Sequence, residues 1–127
     1  MEGTAVRPLI AVVEDDVAVL NSLEFALQAE GYAVCGFERA SDALASPAVM
    51  DADCLVLDYA MPDLNGIALL ERLRARGLKQ RPAIIIASNP PARCLQEAAA
   101  AGAPVVEKPL TGDRLLDEIR QALARPR

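Results

Sequence analysis

Short apolar runs recur along the chain, and each stops abruptly at polar or charged residues. Leu9-Ile10-Ala11-Val12-Val13 ends at Glu14-Asp15-Asp16, Cys54-Leu55-Val56-Leu57 runs into Asp58, and Ile84-Ile85-Ile86-Ala87 gives way to Ser88. Runs of this length, bounded by turn signals, suit strands buried on both faces. The β-branched enrichment of residues 82–87 favours strand over helix there. Residues 9–13, 32–37, 53–58, 82–87 and 104–107 are therefore expected to form strands one to five.

Helix-period segments lie between them. Over residues 16–30, Leu20, Leu23 and Leu27 make an apolar stripe, and Gly31 sits where a C′ glycine is favoured. Ser41 is expected to cap a short second helix reaching about Ala48. Helix three should span about 65–76, with Ile67, Leu70 and Leu73 inward and Gly77 as its stop. Helix four should open at Ser88-Asn89-Pro90-Pro91, because proline is tolerated in a first turn, and end at Gly102. Thr111 is expected to cap helix five, about 112–124, whose Leu115, Leu116, Ile119 and Leu123 share a face. The resulting order, β-α repeated five times, implies an α/β fold. Its parallel sheet is covered on both faces, and its crossovers are right-handed.

In such a sheet the strand ends lie along one edge, where ligands bind. Strand one ends in Glu14 and Asp15, strand three in Asp58 and strand four in Ser88, and Lys108 follows strand five. Three carboxylates, a hydroxyl and an ammonium are thus expected to converge. Clustered acids raise one another's proton affinity unless a cation joins them. Oxygen ligands without His or Cys favour Mg²⁺, and a carboxylate beside Mg²⁺ and a Lys can attack phosphorus. Each residue also has a plain reading. Asp15 or Asp16 could cap helix one, Ser88 could be a turn or cap residue, Lys108 a solvated charge, and Asp58 a strand-end turn residue. Those readings must all hold together to dismiss the site.

Composition narrows the field. With 127 residues the chain is expected to be one domain, and its net charge of −5 with no His argues against direct nucleic-acid binding. Cys35, Cys54 and Cys94 are widely spaced and odd in number, so they read as reduced residues of a cytoplasmic protein rather than a disulfide or metal set. The N-terminal MEGTAVRP carries no apolar stretch that would suit a signal peptide. No run approaches the roughly 18 residues of a membrane span.

The chain resembles the receiver domains of bacterial two-component response regulators. The matching pieces are Val12-Val13-Glu14-Asp15-Asp16, Asp58-Tyr59-Ala60-Met61-Pro62 with Gly66, Ser88 after Ile84-Ile85-Ile86-Ala87, and Lys108-Pro109. They occur in order, at strand ends, across residues 9–109. The resemblance implies a flavodoxin-like, doubly wound five-stranded parallel sheet of order 2-1-3-4-5 with five helices, a fold for which receivers are a standard illustration. It implies one receiver domain over 1–127, with a core of about 8–124. It implies that Asp58 accepts a phosphoryl group from a histidine kinase or histidine phosphotransfer protein. Asp15, Asp58 and the backbone carbonyl of Ala60 would bind Mg²⁺, with Glu14 acting indirectly. Lys108 would pair with the phosphoryl oxygens, Ser88 would swing to bond them, and the Lys108–Pro109 bond would be cis. Self-catalysed phosphotransfer and dephosphorylation are the only chemistry implied. Homodimerisation would use the face made by helix four, strand five and helix five.

Three features depart from the family pattern. Val105 stands where the family usually has Tyr or Phe, the segment from Ser88 to Lys108 is slightly short, and Pro90-Pro91 is unusual at the start of helix four. All three bear on the switch. The runner-up reading is therefore a degenerate receiver that binds partners without phosphorylation. A haloacid-dehalogenase-type hydrolase would need an acid where Ala60 stands, and a flavin carrier would need stacking aromatics and Ser/Thr-rich phosphate loops. The chain ends at Arg127 soon after helix five, which suits a single-domain regulator or an excised receiver.

Overall fold

The computed structural model describes residues 7–125. Expectations for the first six residues, including the signal-peptide reading, lie outside them. Five strands, β1 (Leu9–Val13), β2 (Ala33–Phe37), β3 (Cys54–Asp58), β4 (Ala83–Ala87) and β5 (Val105–Glu107), form one parallel sheet of order β2-β1-β3-β4-β5. Five helices connect them: α1 (Val17–Ala29), α2 (Ala40–Ala45), α3 (Gly66–Leu73), α4 (Ala92–Ala100) and α5 (Arg114–Ala124). The flavodoxin-like order expected from the sequence is the order observed.

The two-residue period of the strands divides the core. Ala11, Val13, Leu55, Leu57, Ile85 and Ala87 face α2, α3 and α4, where Ala43, Leu69, Leu70, Leu73, Cys94 and Ala98 are buried. Ile10, Val12, Val56, Ile84, Ile86 and Val106 face α1 and α5, meeting Leu20, Leu23, Leu27, Leu115 and Ile119. Every residue of β3 and β4 is buried, which explains why these strands read as continuous apolar runs rather than alternating ones. The cysteines are free; Cys54 and Cys94 are buried and Cys35 is half-buried. Among the described residues no helix is long and apolar enough to cross a membrane.

Helix ends differ from the sequence expectations. Ser41 is not the cap of α2. The helix begins at Ala40 behind Arg39, which makes no side-chain cap bond, and the Ser41 N–H donates to Asp63 Oδ2 at 3.0 Å. Nor does α2 reach Ala48. Pro47 drives Ser46 into extended backbone, and a 3₁₀ turn over Pro47–Asp51 follows, with Ser46 Oγ accepting from the Ala48 N–H. Thr111 does not cap α5 either. Gly112 takes the left-handed conformation at φ 75°, and the helix starts two residues later, behind Asp113. The prolines precede α4 rather than filling its first turn: Pro91 stands in extended backbone at its N-cap, and the helix starts at Ala92. Helix α3 is continued by a π-type turn over Arg74–Leu78 that closes at Gly77, φ 124°. Leu116 is half-buried, while Leu115 and Ile119 carry the packing face of α5.

Candidate acid pocket

The fold brings the C-terminal ends of β1, β3, β4 and β5 to one edge. Sheet register pairs Val13 with Leu57, Asp58 with Ile86, and Ala87 with Glu107. Asp58 thus closes β3 at the level where β1 turns into Glu14-Asp15, while Ser88 and Lys108 are the next residues beyond β4 and β5. The ladder continues into the site: Tyr59 N–H donates to Ile86 O at 2.9 Å and Lys108 N–H donates to Ala87 O at 2.8 Å.

Asp58 and Glu14 are the buried charged residues of the described chain, at 3% and 0% exposure. Lys108 Nζ lies 3.2 Å from Asp58 Oδ1 and 2.5 Å from Glu14 Oε1. The second contact is chiefly electrostatic, because Glu14 Oε1 has no partner in good hydrogen-bond alignment. Glu14 Oε2 accepts from the Asp16 N–H at 3.1 Å, so the turn after β1 holds this carboxylate in place. The Lys108–Pro109 peptide is cis, as the resemblance implies.

The ambiguity between Asp15 and Asp16 resolves by geometry. Asp16 caps α1, its Oδ1 accepting from the N–H groups of Ala18 and Val19 at 3.0 and 3.3 Å. Asp15 instead joins Glu14 and Asp58, and one oxygen from each of the three lies within 4.8 Å of the others. Burial, reinforced by the Asp15 and Glu14 carboxyls, pushes Asp58 up to about 8, against the opposing pull of Lys108. Burial alone would draw the Lys108 ammonium down, but Glu14 and Asp58 outweigh it and the net shift is upward. A buried acid held so far above its ordinary range lacks positive charge, and a hard cation ligated by oxygen fits that need.

Ala60 and Ser88 are exposed in the turns after β3 and β4, at the same edge. Two contributors were not singled out as structural parts of the site from sequence. A Cβ at Gly66 would sit 2.5 Å from the Asp58 carbonyl oxygen and 3.0 Å from its carbon, so the start of α3 packs directly on the backbone of Asp58. Gly66 N–H also donates to Tyr59 O at 3.1 Å. Asp63 braces the same turn against α2 through Ser41. The glycine stood in the motif, but its close approach has no local signal.

A family model described as response regulator receiver domain matches residues 10–120. The transcriptional regulatory protein FixJ of Bradyrhizobium diazoefficiens is 35% identical over 115 residues, covering 90% of this chain and 56% of that protein. The chain spans about half the length of the curated relatives it matches. Among solved structures, FixJ-N superposes with a TM-score of 0.83 at 30% identity, covering 97% of this chain and 98% of its own. A CheY-like receiver domain protein from Methanospirillum hungatei gives 0.83 at 26% identity, covering 93% and 94%. The sheet order, the acids and lysine gathered at one edge, and a match running through all five strands and into the last helix agree: the chain belongs to the response regulator receiver domain family.

Proposed function

We propose that Asp58 is the phosphoacceptor of a two-component signalling domain, taking a phosphoryl group from a histidine kinase or a histidine phosphotransfer protein. The observation that carries this reading is a buried Asp58 at the end of β3, 3.2 Å from the Lys108 ammonium and grouped with Glu14 and Asp15. This reading takes residues 1–127 as one receiver domain and the partner as a protein rather than nucleic acid.

In the transfer, an Asp58 carboxylate oxygen attacks phosphorus. The new O–P bond forms as the P–N bond to the donor imidazole breaks, and the imidazole leaves with the bonding electron pair. Lys108 already lies against Asp58 Oδ1 and shifts to neutralise the phosphoryl oxygens, while Glu14 holds its ammonium from the other side. Ser88, exposed beyond β4, donates its hydroxyl to a phosphoryl oxygen. Asp15, Asp58 and the Ala60 carbonyl would hold Mg²⁺, with Glu14 acting through water. When bound, the ion supplies positive charge that favours the ionised carboxylate and screens the incoming phosphate. Asp58 gains most from this, because its proton must be absent for attack.

The departures at Val105 and Pro90-Pro91 concern the next step. Val105 is half-buried, and its carbonyl accepts from Arg114 Nη2 at 3.1 Å. We read the face of α4, β5 and α5 as the surface on which a second copy of the chain would pair, with Leu95 47% exposed there. Intact-mass measurement after incubation with acetyl phosphate and Mg²⁺ tests the core of the proposal. One added phosphoryl group is expected on the parent protein and none on Asp58→Asn. Phosphorylation of Asp58→Asn would assign the chemistry to another residue.

A further inference from the structure

The sheet edge opposite Asp58 carries a separate cavity of 240 Å³, walled by Arg74, Lys79, Arg81 and Arg125, with Asp53 and Pro82 beside them. The length of β3 separates it from the acid pocket by about 17 Å at ~3.3 Å per residue. Four cations face one carboxylate there, in a chain whose net charge is −5. The sequence shows only an ordinary run of basic residues between Arg72 and Arg81. The fold bends that run around Gly77 and adds Arg125 from the far end of α5.

The side chains divide into two pairs. Arg74 and Arg81 are anchored to backbone: Arg74 Nη1 donates to Ala101 O at 2.7 Å and Arg81 Nε donates to Ala52 O at 2.9 Å. Lys79 and Arg125 are exposed and form no ion pair with the described residues. An anchored guanidinium at Arg81 beside the exposed cations Lys79 and Arg125 suits the several oxygens of a phosphate. The cavity is smaller than the roughly 300–1,000 Å³ of sites for drug-sized molecules. No aromatic ring lines it, so a nucleobase would find nothing to stack on.

We propose that this cavity is an anion site for a phosphate or diphosphate group, independent of the acid pocket. The test is a titration of the metal-free protein with inorganic pyrophosphate, and separately with ADP, at about 0.15 M salt, followed by amide chemical shifts. Saturable shifts are expected at residues 79–82 and 122–125. Lys79→Ala/Arg125→Ala, which removes two exposed side chains, should weaken pyrophosphate binding by about ten-fold or more while leaving the circular dichroism spectrum unchanged. ADP should bind no tighter than pyrophosphate. Equal affinity in the double variant, or shifts confined to residues 14–16 and 58–60, would overturn the site. Tighter ADP binding would overturn its restriction to the phosphate group.

Discussion

Asp58 and Lys108 set the electrostatics of the pocket, and both lend themselves to measurement. Burial, with the Asp15 and Glu14 carboxyls, pushes Asp58 up to about 8 in the folded chain, against roughly 3.9 for an unfolded Asp. Between those values the native state keeps a proton that the unfolded state has released, so stability must fall as pH rises through the window. In metal-free buffer the unfolding free energy should drop by about a few kcal/mol from pH 5 to pH 8, and Asp58→Asn should flatten the profile. Urea denaturation at a series of pH values is the measurement, and a rising parent profile would contradict it. Lys108 carries the opposite charge between two buried acids. Lys108→Ala should destabilise the protein by about 3 kcal/mol at neutral pH, the usual scale for stripping one partner from a buried pair. It should also slow phosphoryl transfer to Asp58.

At the scale of elements, the turns decide where each side chain arrives. The two acids after β1 do different work: Asp16 caps α1, and Asp15 reaches the pocket. Asp16→Ala should cost about 1 kcal/mol of stability and leave phosphoryl acceptance intact, whereas Asp15→Ala should abolish Mg²⁺-dependent acceptance. Thermal melts and intact-mass assays on both variants separate cap from ligand. Gly66→Ala places a methyl group 2.5 Å from the Asp58 carbonyl oxygen, and the obstacle is backbone in a fully buried strand. The expected loss is about 1–3 kcal/mol, with slower phosphorylation because Asp58 itself must move. At Gly36 the nearest atom is the movable carboxylate end of Glu24, so Gly36→Ala should be milder in the same melts.

For the whole molecule, the question is how far a change at Asp58 travels. An element moves only as far as its two states differ in affinity for the phosphorylated site. Val105 has no ring to exchange between pockets and is stiff at χ1, while Pro90 and Pro91 fix the entry to α4. The beryllofluoride phosphate mimic with Mg²⁺ should therefore shift amide resonances strongly near residues 14–16, 58–61 and 88, and weakly across 92–120. Shifts of equal size over α4, β5 and α5 would show that the switch operates without the aromatic.

The strands, their parallel arrangement and the acid pocket were legible in sequence because each rests on a local signal. A buried parallel strand must be continuously apolar, and a strand end must be polar where it meets water, so Asp58, Glu14 and Lys108 stand out at the ends of apolar runs. The stripe of Leu20, Leu23 and Leu27 marks α1 for the same reason. Helix starts were less legible. Ser41 and Thr111 are good caps by residue type, yet Asp63 on a distant turn takes the Ser41 N–H, and Gly112 turns the chain away after Thr111. The division of labour between Asp15 and Asp16, the packing of Gly66 on Asp58, and the gathering of Arg125 with Arg74, Lys79 and Arg81 depend on groups distant in the chain or on the path of a turn. Residue pattern determines which segments must be buried and which ends must be wet; only the tertiary fold decides which of two neighbouring acids faces a pocket, because that depends on what lies across the gap.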